Sequence, residues 1–487
     1  MRTVAILGGA YAGASAAATL AAGLPEGWRI VVIDRNSHLN HVYVMPRYSV
    51  LGGHEHKAFC PMNNIFNLPP SSSQISQSSS HDQLGISRVP PAYHQLNHPH
   101  LILNAEVVAL TPTHIILSKS FPEYGEGFTS NQVGYDFLIY ALGSKLPPPL
   151  DLWGTFPGGI PLDTRASSGE AINDDPKRGS IKTTIYRGAK NEGIAWLKAH
   201  QMLIEDAQSI LVVGGGALGI QFATDIADIY SHKSVTLLHS REKLLPRFNA
   251  EMHTEIYLAL ESLGVHVILN ERLADKDAPP KFNEKGQRVV NTTKGREIVA
   301  DLVLMCTGQA PNTSILKAMN PLTVNPHDGL AHVLKTMQLT VLQIELSSDI
   351  DTNNSASETG NRMKTPSQQE PTPYPHIFVV GDAADAFGAI AAGHTADFQA
   401  KVAARNILRL VQIREQEKQK CGDREDEELE EYVPTEPGIK VSLGLRNSIY
   451  QINGVVGKRS NGTDDMDAAY LWKYWGTKVD SERDMYL

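Results

Sequence analysis

Apolar residues fall along the chain in short runs that end on glycine turns and then give way to helical stretches of small residues. Thr3 to Leu7 reads as a β-strand, leads into G-G-A-Y-A-G and an alanine-rich helix, and is followed by a second strand from Trp28 to Ile33 that ends on Asp34. The same succession recurs at Ser209 to Val213, with G-G-G-A-L-G, a helix from Ile220 to about Tyr230 and a strand from Ser234 to Leu238. Strand, glycine turn, helix and strand in that order predict a Rossmann-type unit, so two such units and an α/β fold are expected. Three more β runs finish on small residues: Tyr135 to Tyr140 before A-L-G-S, Asp301 to Met305 before C-T-G, and Ile377 to Val380 before Gly381-Asp382. The last is expected to be followed by a small-residue helix containing Gly393 and His394.

Two stretches lack apolar periodicity and read as surface insertions, the Ser-rich run from Pro69 to Ser80 and the polar tract from Ser347 to Pro375. A charged run, Cys421 to Tyr432, follows a helix ending near Lys420 and reads as a solvated linker. Beyond Gly438 come two strand-like runs, Val441 to Leu445 and Ile449 to Val456, and then an aromatic segment from Ala468 to Trp475. A small C-terminal α+β region is expected there.

Composition narrows the function. A chain of 487 residues with 41% hydrophobic content buries more than one core. The net charge of -9 provides no positive field for phosphates, which makes nucleic acid an unlikely partner. Its three cysteines, Cys60, Cys306 and Cys421, are far apart and form no C-x-x-C pair, so neither a disulfide framework nor a dithiol relay is expected. The first apolar run meets its glycine turn too early for a signal peptide, and no apolar stretch reaches the roughly 18 residues of a spanning helix. The simplest expectation is a cytoplasmic protein. The C-terminal aromatics leave peripheral contact with an intracellular membrane open, although Asp464, Asp465 and Asp467 would be repelled by anionic lipid. His41, His54 and His56 have no cysteine or carboxylate at ligand spacing, so no metal site is expected.

The glycine turns carry the chemistry. Gly8, Gly9 and Gly13 keep the dinucleotide spacing while Ala10 replaces the middle glycine, whose role is to let the backbone approach a pyrophosphate. Asp34 is placed to accept hydrogen bonds from ribose hydroxyls, with Arg35 beside it. Gly214, Gly216 and Gly219 keep all three glycines, but their second strand ends on His239-Ser240-Arg241, where no carboxylate stands at the ribose position. Ser240 and Arg241 there could meet a 2′-phosphate, which tilts the second cofactor toward NADPH and leaves NADH open. Gly143 and Gly308 close their strands, and Asp382 beside Gly381 is placed to bind a ribityl hydroxyl.

These pieces in this order resemble the FAD-dependent pyridine-nucleotide oxidoreductases, within them the apoptosis-inducing-factor-like and ferroptosis-suppressor-like branch. The resemblance implies FAD on Gly8, Gly9, Ala10, Gly13, Asp34, Arg35, Gly143, Gly381 and Asp382, and NADPH or NADH on Gly214, Gly216, Gly219, Arg241 and Gly308. It implies a flavin-side loop from Asn40 to Arg47, with Arg47 on FAD, and it puts Gln221 where the family often has a glutamate near the nicotinamide. The domains implied are an FAD-binding domain over 1–150 and 301–420, an NAD(P)-binding domain over 151–300, and a linker with the C-terminal region over 421–487. The activity implied is hydride transfer from NAD(P)H to FAD and onward to a quinone or similar acceptor. That step needs orientation more than an acid or base, so no general base is named. A redox-sensing flavoprotein and a flavin monooxygenase stay open as alternatives, as does the oligomeric state.

Overall fold

The structure, a computed structural model, describes residues 1–68, 98–154, 185–274, 279–342, 372–419 and 428–487. The Ser-rich run, most of the polar tract, and Cys421 with the start of the charged run lie outside them. The principal strands are β1 (Arg2–Leu7), β2 (Trp28–Asp34), β3 (Leu101–Asn104), β4 (Phe137–Tyr140), β5 (Ser209–Val213), β6 (Ser234–Leu238), β7 (His266–Ile268), β8 (Leu302–Met305), β9 (Ile377–Val379), β10 (Ile439–Leu443), β11 (Asn447–Ile452) and β12 (Val455–Arg459). The principal helices are α1 (Tyr11–Ala21), α2 (Lys190–Asp206), α3 (Ala217–Ile229), α4 (Ala250–Ser262), α5 (Gly393–Gln419) and α6 (Ala468–Tyr474).

The chain divides into two compact units. The first takes residues 1–35, 63–144 and 311–435, and the second takes 36–62, 145–310 and 436–487. In the first, the parallel sheet runs β9-β4-β1-β2-β3. Val4 to Leu7 and Ile30 to Ile33 are fully buried, as strands covered on both faces require. The small residues of α1 let α5 lie close, and Ser15 Oγ donates to Asp397 Oδ1 across that seam at 2.6 Å.

In the second unit the parallel sheet runs β7-β6-β5-β8. The two sheets share a register: Leu7 faces Ile33 and Tyr140, and Val213 faces Leu238 and Met305. Gly8 and Gly214 therefore leave equivalent central strands, Asp34 and His239 follow equivalent neighbours, and Ala141-Leu142-Gly143 corresponds to Cys306-Thr307-Gly308.

The structure departs from the sequence reading in three places. Residues 36–62, expected in the FAD domain, fold into the second unit because Val44, Met45, Tyr48 and Phe59 join the same core as Trp196, Leu197 and Phe222. The C-terminal antiparallel sheet β10-β11-β12 and α6, expected as a separate region, belong to that unit too, with Val441, Leu443, Ile449 and Ala468 in its core. Residues 145–150 and 301–310, expected in the FAD domain, also lie in the second unit, where β8 pairs in parallel with β5. The helix containing Gly393 and His394 is present as expected and starts at Gly393, after a turn with Phe387 at φ 55° and Gly388 at φ 81°.

Candidate functional site

At the carboxyl ends of the first sheet, the predicted residues meet around one turn. Gly8 N–H donates to the Ile33 carbonyl at 2.8 Å, and Gly9 N–H to Asp34 Oδ2 at 2.6 Å, which pins the turn to the end of β2. Gly8 sits at φ 95°, and a Cβ there would lie 2.4 Å from the Ala141 carbonyl oxygen. A Cβ on Gly13 would lie 1.7 Å from the Gly8 carbonyl oxygen, so the turn closes tightly onto the first turn of α1 only with glycine at both positions. Asp382 Oδ2 accepts from Ser144 Oγ at 2.8 Å, and Gly381 N–H donates to Gln399 Oε1 at 2.7 Å. Gly143 is half-buried beside Ser144, and Arg35 is exposed. The first amides of α1 have no intrahelical acceptors, so the turn, two carboxylates and a helix N-terminus converge with the donor and acceptor set that a dinucleotide diphosphate and its hydroxyls need.

The second unit repeats the turn. Gly214 N–H donates to the Leu238 carbonyl at 2.8 Å, Gly214 stands at φ 125° against the Cys306 carbonyl, and a Cβ on Gly219 would lie 1.8 Å from the Gly214 carbonyl oxygen. A Cβ on Gly216 would meet nothing within 4 Å. Gly216 has φ -85°, ψ 179° and Ala10 has φ -82°, ψ -167°, so the middle position keeps one backbone shape whichever residue fills it. The open side of Gly216 is the space a pyrophosphate would use. Gly308 is exposed, as is Arg241, whose side chain makes no hydrogen bond or ion pair to a described residue.

Two residues have partners other than those expected. Arg47 is 1% exposed, with Nε and Nη2 bidentate to Asp225 on α3 at 2.8 and 2.9 Å, and Nη2 also donates to the Gly444 carbonyl at 2.7 Å. Its charge is committed to the second unit's core, and only Nη1 is left for a flavin. Burial pushes the Asp225 carboxyl up while the adjacent guanidinium pulls it back down. Gln221 is buried and donates to Ser442 Oγ at 3.3 Å, tying α3 to β10.

In the loop that the family resemblance marks, Asn40 Oδ1, Tyr43 Oη and Arg47 Nη1 are buried without a hydrogen-bond partner among the described residues, as groups awaiting a ligand would be. Sequence reasoning missed one feature. It is the role of His239, whose Nδ1 accepts the Gly215 N–H at 3.0 Å, the same contact that Asp34 makes with Gly9. The signal was present in the matching positions of the two second strands. The thiols of Cys60 and Cys306 are buried, and burial pushes Cys60 up to about 12, so neither serves as a ready thiolate.

Residues 2–344 match the family model described as pyridine nucleotide-disulphide oxidoreductase. The chain is 37% identical over 481 residues to Fe-regulated protein 8 of Mycosarcoma maydis, spanning 98% of this chain and 96% of that protein. It is 29% identical over 258 residues to ferroptosis suppressor protein 1 of Taeniopygia guttata, spanning 52% of this chain and 55% of that one. Among solved structures, the ferredoxin reductase for the CYP199A2 system from Rhodopseudomonas palustris superposes with a TM-score of 0.56 at 16% identity, covering 92% of this chain and 82% of that one.

Proposed function

From the premise that this chain belongs to the pyridine nucleotide-disulphide oxidoreductase family and is an FAD-dependent NAD(P)H oxidoreductase, we propose that it delivers electrons to a quinone or similar small acceptor without a thiol relay. The observation that carries this reading is the cysteine inventory. None of the three cysteines stands in a C-x-x-C pair, and the two among the described residues are buried, one on β8's exit and one beside the 40–47 loop. Electrons taken from the nicotinamide therefore have no C-x-x-C dithiol to pass through.

The chain's own residues bind and orient. In the first unit the turn at Gly8 to Gly13 and the N-terminus of α1 hold the FAD diphosphate, Asp34 the ribose and Asp382 the ribityl chain. FAD held there would supply hydride acceptance and electron release, singly or in pairs. In the second unit Gly214 to Gly219 and α3 hold the donor diphosphate. Arg241, exposed and carrying no ion pair to a described residue, is available to a 2′-phosphate, and this supports NADPH as the preferred donor. Exposed Tyr470 and Tyr474 on α6 support a peripheral membrane contact, which would bring the protein to lipid-soluble quinone.

The test is anaerobic mixing of the purified flavoprotein with NADPH or NADH, followed by a short-chain quinone, while flavin absorbance is recorded. Bleaching by donor and recovery with quinone is the expected course. A reduced flavin that ignores quinone but reacts with oxygen or a protein carrier would remove the acceptor assignment, and a flavin that stays oxidised with both donors would favour a sensing role.

A further inference from the structure

His239 stands where the first unit has Asp34, and both of its ring nitrogens are engaged. Nδ1 lies 3.0 Å from the Gly215 amide nitrogen, and Nε2 lies 3.0 Å from the Lys243 carbonyl oxygen. A backbone N–H can only donate and a carbonyl can only accept, so Nδ1 carries a lone pair and Nε2 a proton. The partners thus select one neutral tautomer. A second proton on Nδ1 would point at the Gly215 N–H and break that contact.

Packing makes the contact consequential. A Cβ on Gly215 would lie 2.6 Å from His239 Cγ and 2.5 Å from Leu244 Cδ2, so imidazole and leucine close directly over the turn. Leu244 is itself held by its N–H donating to His253 Nδ1 on α4 at 3.1 Å. The next backbone layer is fixed as well, with Glu271 N–H donating to the His239 carbonyl at 3.1 Å. The charges that reach the ring are Arg241 on its own turn and His253 from α4, and both oppose a cation; the Lys243 carbonyl acts the other way. Glu271 offers no counter-charge, because Arg296 takes its carboxylate at 3.2 Å. Burial is the largest cause and acts in the same direction as Arg241, so the ring's pKa is lowered from its ordinary value.

We propose that His239 is a positioning residue of the donor turn: as a neutral imidazole it holds the Gly215 amide, and its protonation releases the turn and weakens nicotinamide dinucleotide binding. The proposal rests on Gly214 to Gly219 being the donor loop. The sign follows from linkage: with a lowered pKa, the neutral form prevails through neutral pH, and binding is lost only as pH falls through the ring's pKa in the free protein. Below that point, one obligatory deprotonation raises Kd by about tenfold per pH unit.

The experiment uses the FAD-loaded full chain and has two readouts. Ring ¹⁵N shifts of histidine-labelled protein, with the His239 signals identified from H239N, report the tautomer directly. Titration calorimetry with NADP⁺ and, in parallel, NAD⁺ between pH 5 and 8 reports affinity; NAD⁺ lacks the 2′-phosphate, whose own ionisation falls at about 6. His239→Asn supplies an acceptor oxygen near the Nδ1 position and cannot titrate. The expected result is a pyridine-type Nδ1 with a protonated Nε2 at pH 8, affinity for both dinucleotides falling with pH in the wild type, and a profile for NAD⁺ in H239N that is flat within twofold. A protonated Nδ1 at pH 8 would overturn the proposal without needing any variant. So would an unchanged pH slope in H239N, or a slope removed by His253→Asn instead. Absence of binding by either dinucleotide at pH 8, with the tautomer as expected, would instead overturn the donor-loop reading on which the proposal stands.

Discussion

Replacing Arg47 with methionine separates a structural tie from a cofactor contact. The change keeps most of the buried aliphatic volume and removes the guanidinium, so Asp225, 0% exposed, keeps a carboxylate with no counter-charge and the Gly444 carbonyl loses a donor. Removing one partner of a buried pair costs about 3–5 kcal/mol. Replacing both, as Arg47→Met with Asp225→Leu, removes the stranded charge and leaves mainly the unpaired carbonyl, at about 1–3 kcal/mol. The double variant is therefore expected to be roughly 2 kcal/mol more stable than the single one, which a double-mutant cycle reads directly. The assay is urea unfolding of flavin-free protein followed by tryptophan fluorescence, a signal dominated by the second unit because Trp153, Trp196, Trp472 and Trp475 lie in it and only Trp28 in the first. A loss below about 1 kcal/mol in the flavin-free single variant, together with a large loss of FAD affinity, would refute the reasoning and return Arg47 to the flavin.

Three other outcomes follow from the same geometry. Gly13→Ala and Gly219→Ala each drive a methyl into a backbone carbonyl, at 1.7 and 1.8 Å, so the first is expected to purify without FAD and the second to retain FAD but lose donor binding, read by visible spectrum and calorimetry. Gly216→Ala meets no atom within 4 Å and already has the backbone of Ala10, so its unfolding free energy should stay within about 1 kcal/mol of the wild type while donor affinity falls. His200 is fully buried, and burial lowers it to about 4; the unfolded chain takes up its proton first on acidification, so His200 contributes about 3 kcal/mol to the stability lost between pH 6.5 and about 4. His200→Gln, which cannot titrate, should make that limb shallower by about one proton while His38, His41, His56 and His100, lowered as well, keep the rest.

How much of this was legible in the sequence depended on whether the cause was local. The strands Ser209–Val213 and Ser234–Leu238 were readable to the residue, because each is an apolar run bounded by polar residues or a turn. Gly8, Gly13 and Asp34 were readable because one short motif encodes turn, helix start and acid. The helix containing Gly393 and His394 was readable from its small residues, whereas the turn before it shows only in the positive φ of Phe387 and Gly388. The placement of 36–62 was hidden for a different reason: Arg47, Asp225 and Gly444 are brought together by tertiary packing, and no periodicity connects residues so far apart. His239 lay between the two cases, with its position evident from the strand end and its task dependent on which ring nitrogen faces the amide.

The interleaving of the two units also constrains how the chain can be made and cut. The first sheet pairs β4 with β9, so its edge is absent until the ribosome has passed residue 379, and Asp382 is synthesised later still. The second unit needs Arg47 from the opening segment and Gly444 from the closing one. Any single break between residues 47 and 377 therefore leaves both units split across two fragments. Such halves should recover a flavin spectrum only when mixed, and vectorial synthesis cannot complete the proposed FAD site before most of the chain has emerged.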